Sequence, residues 1–208
     1  MRIIGGSAAR RTLKAPKGMG VRPTPDLVRQ AVFNSLGERV LDAEVLELFG
    51  GTGALSLESL SRGAKRAICV ELSKRHADGI RANFESLNLP PQSFSVWVRD
   101  VFTALPILAA ASEKFDLILA DPPYGDKTNG SRSRSAAQKL LDQPTLPGLL
   151  KSDGLFILGH ARRDEVTITP AWTELKTLKH GDSLMRVLRL SKTEVSAAAA
   201  PVEEPPVA

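Results

Sequence analysis

The sequence predicts an α/β fold: a seven-stranded, mostly parallel sheet with a terminal antiparallel hairpin and a short basic N-terminal β extension. From residue 44 onward, unbroken apolar runs alternate with helical patterns, the signature of strands covered on both faces. The first run ends in a glycine-rich turn, and the last two runs follow one another with little helix between them.

The elements are placed in chain order as follows. Residues 1–20 alternate short apolar pieces with glycine and basic residues, which reads as a short strand, a flexible basic loop and a second extended segment. In RPTPD, Thr24 is placed to cap a helix whose first residue is Pro25. Leu27, Ala31, Leu36 and Val40, with Val28 and Val32 beside them, outline its apolar face. EVLELF (44–49) is the first strand, ALSLESLSRG the helix after its turn, and AICVEL (67–72) the second strand. A helix over about 73–88 puts Ala77, Ile80, Phe84 and Leu87 on one side. FSVWV (94–98) is the third strand, LPILAAA a short helix, and FDLILA (115–120) the fourth strand. A Gly/Ser/Arg-rich stretch (125–135) reads as a mobile loop, AAQKLLDQ starts a helix, and GLFILGH (154–160) is the fifth strand. The last two strands fall at about 173–179 and 183–190. The chain divides into a basic extension (1–21), one main domain (22–190) and an Ala/Pro/Glu-rich tail (191–208) expected to be disordered.

Composition narrows the function classes. A chain of 208 residues is long enough for one domain with a buried core. No apolar run reaches the roughly 18–20 residues that span a bilayer, and MRIIGGSAARR lacks the apolar centre of a signal peptide. A soluble cytoplasmic protein without membrane contact is the expectation. The single cysteine, Cys69, excludes an internal disulfide and any multi-cysteine metal site. Residues 1–40 hold eight Lys/Arg against Asp26 and Glu38, enough to account for the whole-chain excess of +5. Such an arm suits a polyanionic partner, and equally a solvated charged face.

In an open α/β sheet, ligands bind beyond the carboxyl ends of the strands. Gly50-Gly51-Thr52-Gly53 is delivered there by the first strand, and Phe49 enters the same turn. Glu71 follows Gly53 by eighteen residues and ends the second strand, where a carboxylate accepts both hydroxyls of an adenosine ribose. A dinucleotide fold wants G-x-G-x-x-G, and here Ser56 holds the last position. The pattern suits S-adenosylmethionine better, because that cofactor has no pyrophosphate. Glu47 fits an acidic position near the methionine end, or a strand-end carboxylate paired to a neighbour. Asp100 at the third strand's tip fits an acceptor for the adenine amine, or an N-cap. Leu72 and Val101, next to Glu71 and Asp100, are assigned to the same pocket. No metal is expected.

Asp121-Pro122-Pro123-Tyr124 follows the fourth strand and so sits on the same edge. An exocyclic base amine is a poor nucleophile, its lone pair being delocalised into the ring. The Asp121 carboxylate and Pro122 carbonyl are acceptors that direct that lone pair, and two prolines stiffen the turn. Tyr124 offers a face on which a flipped-out base stacks. Catalysis is then mostly placement of amine, methyl carbon and sulfur in line. His76, His160 and His180 have no metal-like spacing. Cys69, Trp97 and Trp172 read as core or edge packing, and Lys127, Arg132 and Arg134 as either an RNA-contacting flap or a solvated loop.

MRIIGG, RPTPDLVRQAVFN, LELFGGTGALSLESLSRGA and DPPY, in that order, resemble the RsmD family of bacterial methyltransferases over residues 1–190. The resemblance implies a Rossmann-like class I methyltransferase fold and S-adenosylmethionine as donor. It implies methylation of a guanine N2 amine in 16S rRNA, within the small ribosomal subunit or an assembly intermediate; separately, a monomer is expected. It carries cofactor roles onto Glu47, Gly51, Gly53, Glu71 and Asp100, catalytic roles onto Asp121, Pro122 and Tyr124, and RNA contacts onto Arg10, Arg11 and Arg22. Thr24 is grouped with these. Two departures stand out: Leu158-Gly159-His160 where the family often has L-E-H, and Leu188 where its last strand is often aromatic. The alternatives are an adenine-N6 or cytosine-N4 DNA methyltransferase, a ribosome-assembly factor without turnover, and a nicotinamide oxidoreductase.

Overall fold

A central strand flanked on one side by the strands that follow it, and on the other by the strands after those, organises the molecule. The computed structural model describes residues 1–15, 25–124 and 132–192. Seven strands are joined in the order β3-β2-β1-β4-β5-β7-β6. They are β1 (Glu44–Leu48), β2 (Arg66–Glu71), β3 (Phe94–Val98), β4 (Phe115–Ala120), β5 (Leu150–Ala161), β6 (Trp172–His180) and β7 (Ser183–Leu190). The first five are parallel, and β7 lies antiparallel to both β5 and β6. Strand order reverses between β1 and β4, which makes the crevice above those two strands the binding position of an open sheet.

Alternation along the strands sends even- and odd-numbered residues to opposite faces. Leu46, Leu48, Ile118, Phe156 and Leu158 pack with Leu105 and Leu108 of α4 (Val101–Ala110) and Leu140 of α5 (Ala136–Leu141). Val45, Leu117, Leu119 and Ile157 pack with Val32 and Phe33 of α1 (Asp26–Leu36) and Leu55 of α2 (Ala54–Ser61). The remaining helix, α3 (Lys74–Glu85), buries Ala77 and Ile80 as its periodicity predicts.

Two expectations for the first helix are corrected. The buried stripe of α1 is Val28, Arg29, Val32, Phe33 and Leu36, while Leu27 is 70% exposed. The stripe is rotated by one residue because it contains Arg29, whose buried guanidinium bonds the Arg2 carbonyl and Asp26. Pro25 occupies the N-cap position instead of the first turn. Thr24 lies outside the described residues, as do Arg22, Lys127 and residues 193–208 of the tail.

Among its described residues (1–15) the N-terminal extension holds one antiparallel bridge, Arg2 with Thr12, and no strand. Nor is its loop left free. The buried Glu58 of α2 accepts from the amides of Ile4 (2.7 Å) and Gly5 (2.9 Å), and Ser61 Oγ accepts from the Ala8 amide (2.9 Å). Ile3, Ala8 and Leu13 pack against Ala54, Leu57 and Leu87. The extension is thus moored to the helix that begins at the glycine turn.

Candidate active site

Phe49 directly follows β1 with φ 61°, a left-handed conformation uncommon outside glycine and often found at functional turns. It opens a turn closed by the Gly53 amide on the Gly50 carbonyl at 2.7 Å. Gly53 itself has φ 71°, and a Cβ there would stand 2.7 Å from Ile80. Its requirement for glycine is therefore conformational and steric. Gly53 does not line the cavity, whereas Gly50 and Gly51 do.

Two buried carboxylates hold the turn. Glu71 Oε2 accepts from the Gly51 amide and Oε1 from the Ser73 amide, both at 2.8 Å. Each carboxylate oxygen has a second acceptor site, so a diol remains compatible with these bonds. Glu47 accepts from the amides of Leu55 (3.3 Å) and Ser56 (3.0 Å) at the start of α2. Burial pushes its carboxyl up to about 7, against the opposing bonds from Ser56 and Leu55. Burial likewise pushes the Cys69 thiol well up, with Glu47 adding to the effect. Glu47 is paired to these neighbours and also lines the cavity.

Asp100 likewise caps a helix and lines the cavity. Its Oδ1 accepts from the amides of Phe102 (2.9 Å) and Thr103 (3.2 Å), which caps α4. Both bonds use one oxygen, and Asp100 lines the cavity beside Val101 and the exposed Leu72.

Asp121-Pro122-Pro123-Tyr124 forms the opposite wall of the same cavity, whose volume is about 520 Å³. Pro122 is buried and Pro123 exposed. The Tyr124 hydroxyl is hydrogen-bonded to Ser183 Oγ at the start of β7. Ser183 pairs with Ala161, so the tyrosine is fastened to the last strand of the sheet. A Cβ on Gly159 would lie 2.4 Å from Asp121 Oδ1, which places the Asp121 side chain directly over the β5 backbone.

Every proposed cofactor and catalytic residue except Gly53 therefore meets in one crevice, above the point where strand order reverses. Arg10 and Arg11 are exposed on the N-terminal turn and do not line it. Sequence reasoning missed Thr52 and His76, which do; His76 Nδ1 stands 3.4 Å from Glu71 Oε1. It also missed Asn83, buried on α3, whose Oδ1 accepts from the Lys14 amide (2.8 Å) while Nδ2 donates to the carbonyls of Lys14 (3.0 Å) and Thr52 (3.2 Å). The available signal was a polar residue inside the apolar stripe formed by Ile80 and Leu87. His160 is buried, with Nδ1 donating to the Ala161 carbonyl and Nε2 accepting from Arg186 Nε (2.9 Å). Burial and the nearby Arg186 hold its pKa below the ordinary value, consistent with a neutral ring. Among the described residues no cluster of three or more His, Cys, Asp or Glu is arranged to hold a metal, and no helix is long and apolar enough to cross a membrane.

The chain is similar to known proteins in sequence and in fold. The chain is 32% identical over 169 residues to YlbH of Bacillus subtilis, covering 81% of this chain and 87% of that protein. It is 30% identical over 179 residues to ribosomal RNA small subunit methyltransferase D of Haemophilus influenzae, covering 85% and 86%. The solved structure of yhhF from Escherichia coli superposes with a TM-score of 0.72 at 27% identity, over 91% of this chain and 97% of that one. A model of the family described as Conserved hypothetical protein 95 matches residues 1–189. The chain belongs to that family, the RsmD family its motifs resemble.

Proposed function

We propose that this chain transfers a methyl group from S-adenosylmethionine to the exocyclic N2 amine of a guanine in 16S rRNA. The observation that carries the reading is one cavity with Glu71 and the glycine turn on one wall and Asp121–Tyr124 on the other. Its volume of about 520 Å³ falls within the roughly 300–1,000 Å³ of small-molecule pockets. The name of the Haemophilus influenzae relative supports rRNA of the small subunit as the polymer. Small subunits or their precursors are the proposed substrate, and the proposed enzyme is a cytoplasmic monomer.

Each residue then has a defined task. S-adenosylmethionine supplies a methyl group on a positively charged sulfur that leaves as a neutral thioether. Glu71 accepts the ribose hydroxyls, the Gly50 and Gly51 backbone allows close approach, and Asp100 Oδ2 accepts from the adenine amine. Phe49, Leu72 and Val101 exclude water from the rings. Glu47 offers negative charge near the methionine end. Asp121 and the Pro122 carbonyl accept hydrogen bonds from the target amine, turn its lone pair toward the methyl carbon and stabilise the positive charge that develops on nitrogen. One amine proton then leaves toward Asp121 or solvent, so the product is a neutral N-methylamine. Tyr124, held by Ser183, stacks on the base. Arg10, Arg11, Arg22 and Thr24 are proposed to contact the RNA backbone.

The test is methylation of small subunits purified from a strain that lacks this gene, followed by digestion to nucleosides. N2-methylguanosine is expected. N6-methyladenosine in its place would overturn the choice of base.

A further inference from the structure

A second group of cations lies on the far side of the tetrapeptide from the N-terminal extension. Arg162 and Arg163 follow β5 directly at the carboxyl edge, and both are exposed. The Arg162 amide donates to the Asp182 carbonyl at 2.7 Å, joining this segment to the β6–β7 turn, just before which β6 carries exposed Lys179. A buried clip secures the other side. Asp164 is fully buried, its amide bonds the Ala161 carbonyl at 3.0 Å, and its Oδ1 accepts from Ser133 Oγ. The clip joins the segment that carries exposed Arg134 to the one that carries Arg162 and Arg163.

Arg134, Arg162 and Lys179 make no ion pair among the described residues. Glu165 and Asp182 are exposed in the same stretch, so the surface is basic by excess and not by exclusion. Its position gives it meaning. Tyr124 is bonded to Ser183, the partner of Ala161, so these cations begin one residue beyond the level of the tyrosine.

We infer that Arg134, Arg162 and Lys179 form a second RNA-backbone contact, which grips phosphates on the opposite flank of the target base from the N-terminal extension. The inference rests on RNA being the substrate. From β1 to β7 are three strand intervals, roughly 14 Å, or about four nucleotide steps of a stacked strand. Phosphate contacts on both flanks fix the register of the polymer while the base between them is drawn into the cavity. The base pays an unstacking cost, and a two-sided grip offsets it without reading sequence.

The double variant Arg162→Ala/Lys179→Ala tests this with two probes, small subunits from the gene-deleted strain and naked 16S rRNA. The expected result is a KM raised about tenfold for both, with the logarithmic salt slope of RNA binding reduced by about 2. S-adenosylmethionine affinity should stay within twofold, and Arg162→Lys/Lys179→Arg should restore the KM. An unchanged KM and slope, with transfer by the parent chain intact, overturn this surface alone. A KM raised on subunits but not on naked RNA assigns the contact to a ribosomal protein and overturns the RNA assignment. Absence of transfer by the parent chain to either probe overturns the RNA substrate itself and this surface with it.

Discussion

Gly159 supplies the space in which the Asp121 carboxylate sits: a Cβ at that position would lie 2.4 Å from Asp121 Oδ1 and 3.0 Å from Met185 Sδ. Both atoms end flexible side chains, so a substitution there displaces Asp121 without disrupting the sheet. Gly159→Ala is expected to change stability by less than about 1 kcal/mol. It should lower kcat by about 10–100-fold, because small misplacements of a positioning group are costly. Steady-state kinetics beside a denaturant curve separate the two effects. A full loss of stability instead would mean that Asp121 cannot move.

Asp121 and Tyr124 should fail differently. Asp121→Asn keeps the shape but loses the negative charge, and kcat should drop by about 10²–10³ while calorimetry finds S-adenosylmethionine affinity within a few-fold. Tyr124→Phe keeps the stacking face and loses only the bond to Ser183, a change of about 1 kcal/mol. Tyr124→Ala removes the face and should raise the KM for RNA by about tenfold or more, given the worth of base–aromatic stacking. Equal losses in the two tyrosine variants would assign the work to the hydroxyl.

Glu47 makes the stability of the ligand-free chain depend on pH. The folded chain ionises this carboxyl at about 7, and an ordinary glutamate does so at 4.5. The raised value means that the folded state holds the proton more tightly, so the stabilisation is complete below 4.5 and is lost as pH rises through 7. The loss amounts to about 3 kcal/mol. His160 titrates with the opposite sign, its pKa being lowered by burial and by Arg186. The quantity to read is therefore the difference in unfolding free energy between the parent chain and Glu47→Gln, measured in urea at pH 5 and pH 8. That difference should move against the parent chain as pH rises, and a constant difference would show that Glu47 does not titrate in this window.

Glu58 moors the N-terminal extension. Its carboxylate takes the Ile4 and Gly5 amides and the Arg62 guanidinium at 2.7 Å. Glu58→Ala strands these donors and should cost about 3 kcal/mol or more. Trypsin cleavage after Arg10 or Arg11 should accelerate before the rest of the chain unfolds. Unchanged cleavage would indicate that the apolar contacts of Ile3, Ala8 and Leu13 suffice.

The sheet and the crevice were legible because their signals are local. Each of the first four strands is a mainly apolar run of five or six residues, and the Gly50–Gly53 turn and Asp121–Tyr124 come just after strands that end at one edge. Illegible were the bonds that join distant parts: Asn83 to Lys14, Tyr124 to Ser183, Arg186 to His160. These pairs are separated by 69, 59 and 26 positions, and no periodicity encodes such a meeting. Arg29 misled the reading of α1 for a related reason. A guanidinium looks solvent-facing until a carbonyl from another segment is found to receive it.

Placing β7 between β5 and β6 has a consequence for the order in which the protein matures on the ribosome that makes it. The strand emerges after both of its neighbours, and until it arrives each presents an unpaired edge to other chains. A nascent chain that ends near residue 180 already has the glycine turn, Glu71 and Asp121, but lacks Ser183 to hold Tyr124. On the proposed roles of these residues, affinity for the small ligand is acquired before grip on the base, and the half-finished sheet is the stage most exposed to aggregation.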